Sequence, residues 1–151
     1  MRMKLNRRDT LLGLAVLFLP LPAEATPADV LESISQTFGD RPIHDGPIQL
    51  DAPPLAESGN SVPLTAWVES PMTGNDRVVR LVLFAEQNPR PKTCEVIFGP
   101  AAAEARLTTN IRLASTQSVV CVAEMADGRL VQARHAIRVI VGACTTLPGR
   151  Y

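Results

Sequence analysis

The side chains best suited to covalent chemistry in this sequence are those of its three cysteines, Cys94, Cys121 and Cys144. A thiolate is a soft nucleophile that forms disulfide-like adducts with sulfur compounds. In an oxidising compartment, two cysteines out of three are expected to pair and the third to stay single. The position of each cysteine relative to the predicted strands is therefore the first question.

Cys144 lies just beyond the last predicted strand, close to the carboxyl terminus. Apolar and charged residues alternate over residues 131–141, which is typical of a half-buried strand. Gly142 then frees the backbone, because a residue without Cβ tolerates conformations closed to others. Gly142 and Ala143 are therefore predicted to form a flexible arm that presents the Cys144 thiol to a partner. The alternative is a terminal cysteine without a role, or one in a chance disulfide.

Cys94 and Cys121 fall inside predicted strands. Each fits the role of a small buried hydrophobic residue. The alternative is a disulfide between them, which would stabilise the fold by about 3 kcal/mol in the loop-entropy model. Such a bridge requires the two Cα atoms to lie within about 7 Å of each other.

Other chemical motifs are absent from the sequence. The only histidines are His44 and His135, and no two Cys or His residues have zinc-ligand spacing. No phosphate-binding loop and no Gly-x-Ser-x-Gly elbow occurs. His135 is expected on the outer face of the last strand, without a chemical role. The sequence thus predicts no metal, no cofactor and no catalytic residue.

Residues 1–25 have the features of an export signal. Arg7 and Arg8 lie in a positive segment, residues 11–21 are mostly apolar, and Ala23-Glu24-Ala25 is a cleavage site. The paired arginines resemble a twin-arginine signal, which exports folded proteins. The apolar run is too short for a membrane anchor, which needs about 20 residues. A mature chain beginning near Thr26 and located in the periplasm is predicted.

The mature chain has the size and charge of one ordinary domain. Without residues 1–25 it holds 11 basic and 13 acidic residues. A nucleic acid or an anionic membrane surface would require a clustered positive field, so neither is expected as a partner.

One helix and about seven strands are predicted. Thr26, Pro27 and Gly39 suit the two ends of a helix. Its apolar stripe comprises Val30, Leu31, Ile34 and Phe38. Strands are predicted over residues 48–51, 62–69, 78–85, 92–98, 104–113, 117–125 and 130–141. A turn-rich linker is predicted over residues 39–47, a turn over residues 57–60 and a proline-rich break over residues 88–91. Short strands with turn signals between them indicate an immunoglobulin-like antiparallel β-sandwich. The predicted parts are a signal (1–25), a helix and linker (26–46), the sandwich (47–141) and the arm (142–151).

Several stretches resemble the SoxY family, the sulfur-carrier subunits of the periplasmic thiosulfate-oxidising system. They are Ser70-Pro71-Met72-Thr73, Asn88-Pro89-Arg90-Pro91, residues 109–117, residues 122–128 and Gly142-Ala143-Cys144. The resemblance implies an immunoglobulin-like sandwich, a SoxZ-like partner subunit, export as a folded complex, and Cys144 as the attachment site on which separate sulfur-oxidising enzymes act. The family arm is Gly-Gly-Cys-Gly-Gly at the end of the chain. This sequence departs from that arm at Ala143, Thr145 and Thr146, and continues through residues 147–151.

The sequence therefore supports a main hypothesis and two alternatives. The main one is a non-catalytic carrier that holds thiosulfate-derived sulfur on Cys144. The first alternative is an exported immunoglobulin-like binding module without sulfur chemistry. The second is a thiol–disulfide exchange protein, which the absence of a Cys-x-x-Cys pair disfavours.

Overall fold

The structure is a computed structural model that describes residues 27–143. The predicted export signal, residues 1–25, lies outside the described residues. Within these residues, helix α1 is followed by nine strands. The elements are α1 (Pro27–Phe38), β1 (Ile43–Asp45), β2 (Ile48–Asp51), β3 (Leu55–Ser58), β4 (Val62–Val68), β5 (Val78–Ala85), β6 (Lys92–Ile97), β7 (Ala105–Ile111), β8 (Gln117–Met125) and β9 (Leu130–Val141). A single 3-10 turn, Gly74–Asp76, separates β4 from β5. Among the described residues, no helix is long and apolar enough to cross a membrane.

The larger sheet is arranged along β9, its longest strand. Its order is β1-β9-β8-β5-β6, and β3 also pairs with β9. One edge of β9 is antiparallel to β8, and the other edge receives two short parallel strands. β1 pairs with residues 130–132 at the beginning of β9, and β3 pairs with residues 138–141 at its end. β3 therefore brings an earlier segment of the chain directly beside Gly142 and Ala143.

The smaller sheet, in the order β2-β4-β7, is antiparallel throughout and packs on the inner face of the larger one. Alternate residues of β4 point into the space between the sheets, as the period-two pattern of the sequence predicts. They are Val62, Leu64, Ala66 and Val68, all buried. Leu81 and Leu83 of β5 meet them from the larger sheet. The sandwich predicted from the sequence is confirmed.

Helix α1 covers the outer face of the larger sheet. Val30, Ile34 and Phe38 recur at helical spacing and are buried. They pack against Val82 and Phe84 of β5, so that β5 is buried on both faces. Each such side chain contributes about 1.5–3 kcal/mol when it is fully buried. Leu31 was predicted in the same stripe but is exposed, because it lies off the face that meets the sheet.

Charged residues hold the end of α1 on the sheet. Arg41 donates from Nε to the carbonyl of Phe38 at 2.8 Å, and the guanidinium of Arg80 lies 4.6 Å from the centre of the Phe38 ring. Glu124 binds both arginines, at 2.7 Å to each. Burial alone would raise the pKa of Glu124, but hydrogen bonds from Arg41 and Arg80 outweigh it and hold the pKa below its usual value.

Two strands of the structure are missing from the sequence prediction. Residues 39–47 were assigned to a linker and residues 57–60 to a turn, whereas β1 and β3 lie in these regions. Both strands are short, neighbour prolines, and gain their pairing from β9, far away in the chain. Local periodicity contains no signal of such a partner. About seven strands were therefore expected, whereas residues 27–143 form nine.

Candidate functional site: the junction before Cys144

The predicted attachment residue, Cys144, lies outside the described residues, as do residues 145–151. Gly142 and Ala143 lead up to it and are described. Gly142 is exposed, but Ala143 retains only 7% of its accessible surface. The sequence predicts a flexible arm from Gly142 onward, and the structure instead packs Ala143 against the sandwich.

Three backbone segments meet at Ala143 and form what is here called the junction: Gly59, Leu113 and residues 141–143. The N–H of Gly59 donates to the carbonyl of Val141 at 2.8 Å, which continues the parallel pairing of β3 with β9. The N–H of Leu113 donates to the carbonyl of Gly59 at 2.8 Å, and the N–H of Ala143 donates to the carbonyl of Leu113 at 2.9 Å. Each segment is thus bonded to the other two.

Two buried polar side chains support the loop that contains Leu113. Asn88 donates to the carbonyl of Arg112 at 2.7 Å and accepts from the N–H of Ala114 at 2.9 Å, so it fixes the chain on both sides of Leu113. Gln117 donates to the Asn88 oxygen at 3.0 Å and accepts from the N–H of Gln87 at 2.7 Å. Asn88 and Gln117 are both 6% exposed. Buried groups satisfied in this way hold a loop in one conformation.

Sequence reasoning missed Asn88 and Gln117 as supporting residues. Both lie in stretches that were noted for other reasons, a proline-rich turn and the start of a strand. Their polar side chains gave no sign of burial, because solvated Asn and Gln are the common case. Their burial becomes visible only once distant segments pair, because the side-chain amides of Asn88 and Gln117 then bond to protein groups instead of water.

Cys121 is enclosed in the core of the sandwich. It lies on β8 between Leu83 of β5 and Ala133 of β9, and none of its surface is exposed. Burial raises the pKa of the Cys121 thiol to about 12, since a thiolate would lose its hydration there. A thiol in this state is not a nucleophile at neutral pH.

Cys94 is partly buried on β6, at the edge of the larger sheet. Two open grooves border it: one of about 440 Å³, lined by Ser33 and residues 90–95, and one of about 320 Å³ that extends to residues 109–112 of β7 and beyond. Arg90, Lys92 and Arg112 line the second groove. Lys92 is paired with Glu95 at 2.6 Å, so the positive charge of this groove comes mainly from Arg90 and Arg112. Positive charge attracts anions, and Cys94 is therefore a second thiol that a sulfur anion could approach.

The disulfide considered between Cys94 and Cys121 is not formed, since both are free cysteines. Cys94 and Cys121 each lie opposite Leu83, on the two strands that flank β5. Two strand spacings separate them, about 9–10 Å. That separation exceeds the reach of a disulfide, about 7 Å between Cα atoms.

His135 lies on the inner side of β9, opposite Val119, and the outer position expected from the sequence is wrong. Its Nε2 atom is buried without a hydrogen-bond partner. Within residues 27–143 there is no group of three or more His, Cys, Asp or Glu side chains that could hold a metal ion.

Comparison with known proteins identifies the family. The model of the family described as sulfur oxidation protein SoxY matches residues 34–144. The chain belongs to the SoxY family. The match begins inside α1, spans the whole sandwich and ends on Cys144. No protein with a curated description is similar enough to count as a relative.

Solved structures agree with membership of the SoxY family. The structure of the sulfur carrier protein SoxY from Chlorobium limicola f thiosulfatophilum is 25% identical, covers 74% of this chain and 92% of its own, and has a TM-score of 0.65. A superoxide reductase (neelaredoxin) from Ignicoccus hospitalis is 20% identical, with coverages of 77% and 94% and a TM-score of 0.53. The second likeness shows a shared fold and nothing about chemistry.

Proposed function

We propose that this SoxY-family chain is a non-catalytic sulfur carrier that holds thiosulfate-derived sulfur covalently on Cys144. The observation that carries the proposal is the family match, which runs through the sandwich and ends on Cys144. The similar chain from Chlorobium limicola f thiosulfatophilum is a sulfur carrier protein, which supports the same role here.

The environments of the other cysteines favour Cys144 further. Cys121 is excluded because its thiol is buried and its pKa is raised to about 12. Cys94 lies beside grooves and is the competing attachment site. The proposal prefers Cys144 because the family match ends on it and because it follows the last strand, β9.

Attachment of thiosulfate to a thiol is an oxidation. The thiol sulfur bonds to the outer sulfur of thiosulfate, so that R–SH and ⁻S–SO₃⁻ give R–S–S–SO₃⁻, one proton and two electrons. The electrons must pass to an oxidant, which in this proposal belongs to a partner enzyme of the sulfur-oxidising system. The carrier contributes the nucleophilic thiolate. Later steps on the adduct also belong to partner enzymes.

The positive charge of the groove near Cys94 agrees with an anionic cargo. Thiosulfate and the sulfonate end of its adduct are negatively charged, and Arg90 and Arg112 line the groove. Arg112 directly precedes Leu113, whose carbonyl binds the N–H of Ala143. Positive charge at this side of the molecule favours the approach of an anion to the junction.

The proposal includes export and a partner subunit. Residues 1–25 are taken as a twin-arginine-like signal that directs the folded chain to the periplasm, where the mature protein forms a heterodimer with a SoxZ-like sandwich subunit. The same proposal divides the mature chain into a helix and linker (26–46), the sandwich (47–141) and the arm that contains Cys144 (142–151). Amino-terminal sequencing of the exported protein should begin near Thr26, and the chain should copurify with a SoxZ-like subunit.

Loading with thiosulfate tests the central part of the proposal. The reduced protein is incubated with thiosulfate and a mild two-electron oxidant, and its intact mass is measured before and after reduction. The wild-type chain and C94S should gain one reducible thiosulfate-derived adduct, whereas C144S should gain none. Loading that persists in C144S and disappears in C94S would move the site to Cys94. A chain that never loads but still copurifies with its partner would be a binding module.

A further inference from the structure

Two arginines without a carboxylate partner border the same groove. Arg90 precedes β6 and Arg112 follows β7, and both line the open space of about 320 Å³ that is here called the β6–β7 groove. Within residues 27–143, neither guanidinium takes part in an ion pair or a hydrogen bond. Most other arginines of these residues do bind a carboxylate, namely Arg41, Arg80, Arg106, Arg129 and Arg134.

The lining of the β6–β7 groove suits a negatively charged ligand. Among the described residues, no Asp or Glu lines it. The charge of Lys92 is paired with Glu95, so the two arginines are the cations that remain for a ligand. The hydroxyl of Thr109 and the amide of Asn110 also line the groove and can donate hydrogen bonds. Such a set of donors attracts anions and repels cations.

A buried hydrogen bond holds the two arginine-bearing segments together. Asn88, two residues before Arg90, donates to the carbonyl of Arg112 at 2.7 Å and is only 6% exposed. Pro89 and Pro91 flank Arg90 and restrict its backbone to extended conformations. The fold thus keeps two like charges at one groove, where they repel each other. A bound anion would relieve that repulsion, and a local conflict of this kind is typical of a functional site.

We propose that the β6–β7 groove binds a divalent tetrahedral oxyanion of sulfur, such as thiosulfate or sulfate, without a covalent bond. Arg90 and Arg112 supply the charge, and the planar guanidinium matches two oxygens of such an anion at once. The choice of sulfur rests on the proposed carrier function, whereas anion binding itself rests on the groove. Both arginines are exposed, so the anion stays partly hydrated and binds weakly, with a Kd of about 1–10 mM.

Anion titration of the C144S chain tests this site, because the variant retains the groove and has lost the proposed attachment residue. Thiosulfate replaces chloride at constant ionic strength, and the backbone amide signals are followed by nuclear magnetic resonance. The amides of Thr93, Cys94 and Asn110 line the groove and should shift along a saturable curve. Shifts that never saturate, or that spread evenly over the chain, would overturn the proposal.

Arginine substitutions test which groups bind the anion. R90Q and R112Q should each weaken thiosulfate binding about three- to tenfold, because a long polar side chain remains but its charge is lost. R138Q is the matched control, since Arg138 is exposed and has no ion pair within residues 27–143. It lies on β9, three strand spacings or about 14 Å from β6, and should leave the affinity unchanged. Equal affinities in the parent chain and in all three variants would contradict the assignment.

The thiol of Cys94 provides an independent measure of the charge in the groove, because it lines the groove whereas Cys121 is buried. In the C144S chain, the alkylation rate with iodoacetate, an anion, is divided by the rate with iodoacetamide, its neutral analogue. The two groove substitutions should lower this ratio about two- to fivefold, and the control should not. Saturating thiosulfate should also slow alkylation by iodoacetamide. A ratio that is the same in every variant would mean that the groove has no positive field.

Two further comparisons separate the possible outcomes. Phosphate near pH 8 has a similar charge and shape and should bind no more tightly than thiosulfate. A preference for phosphate of more than tenfold would overturn the choice of sulfur. Saturable binding by a protein that never loads sulfur in the wild-type experiment refutes the carrier function alone, whereas loading without saturable binding refutes the groove alone.

Discussion

The centre of the larger sheet and the junction at Ala143 hold the chain in place by different means. Around Cys121, apolar side chains of both sheets exclude water, and the fold depends on their burial. At the junction, backbone hydrogen bonds and the close contacts of Gly59 and Gly142 connect three segments. The first arrangement makes a thiol inert, because burial keeps it protonated. The second ends at Ala143, one residue before Cys144, the proposed attachment site.

Thiol reactivity should show the largest difference between these two regions. The pKa of about 12 lowers the thiolate fraction of Cys121 roughly a thousandfold relative to an ordinary thiol. Alkylation of the native protein with iodoacetamide near pH 8 should therefore modify Cys144 rapidly, Cys94 more slowly and Cys121 hardly at all. In concentrated guanidinium all three should react alike. Rapid alkylation of Cys121 in the native protein would contradict the enclosed core.

Removal of the Asn88 side chain should weaken the junction selectively. N88A leaves the carbonyl of Arg112 and the N–H of Ala114 without their buried partner, which costs about 2–4 kcal/mol of unfolding free energy. N75A, in the exposed 3-10 turn, is the matched control and should change stability by less than about 0.5 kcal/mol. Denaturant unfolding measures both, and equal stabilities of the two variants would mean that the Asn88 network supports nothing.

The end of α1 should show the smallest effect, and one that depends on pH. The folded-state pKa of Glu124 lies below its unfolded value, so its ion pairs stabilise the fold fully above pH of about 4.5. That stability is lost as the pH falls through the folded-state pKa. E124Q should lower the unfolding free energy by about 1 kcal/mol at pH 7 and less at acidic pH.

The matched control for this effect is E104Q, since Glu104 and Arg106 form an exposed pair. Exposed pairs contribute little, and E104Q should leave stability nearly unchanged at every pH. A loss of stability in E124Q that is the same at acidic and at neutral pH would indicate lost packing and not a lost charge.

The parts of the fold that the sequence could predict are those with local periodicity. The stripe of α1 and the alternation of β4 are visible in the residues themselves, and both occur in the structure. β1 and β3 were missed because each has only three or four residues and is stabilised by pairing with β9. A segment of that length contains no periodicity that would reveal a distant partner strand. The bridge was left open because the separation of Cys94 and Cys121 depends on the strand order β8-β5-β6.

For the candidate site, the sequence shows a thiol near the carboxyl terminus but not the contacts that precede it. Cys144 stands out in the sequence as a thiol after the last strand, and Gly142 was noted as a source of flexibility. The structure gives that glycine the opposite role, because its missing Cβ allows close contact with Ala114. Gly59 was assigned to a turn, and Asn88 to a proline-rich break. Both residues contribute to the junction through contacts between segments that are far apart in the chain. The order of residues in the sequence does not show such contacts.

A peptide map tests the central claim most directly, because each cysteine lies on its own tryptic peptide. Residues 93–106 contain Cys94, residues 113–129 contain Cys121 and residues 139–150 contain Cys144. Protein isolated without reductant from cells that are oxidising thiosulfate should carry sulfur or sulfonate adducts on residues 139–150, and reductant should remove the disulfide-linked ones. Adducts confined to residues 93–106, or no adduct on any of the three peptides, would contradict the account.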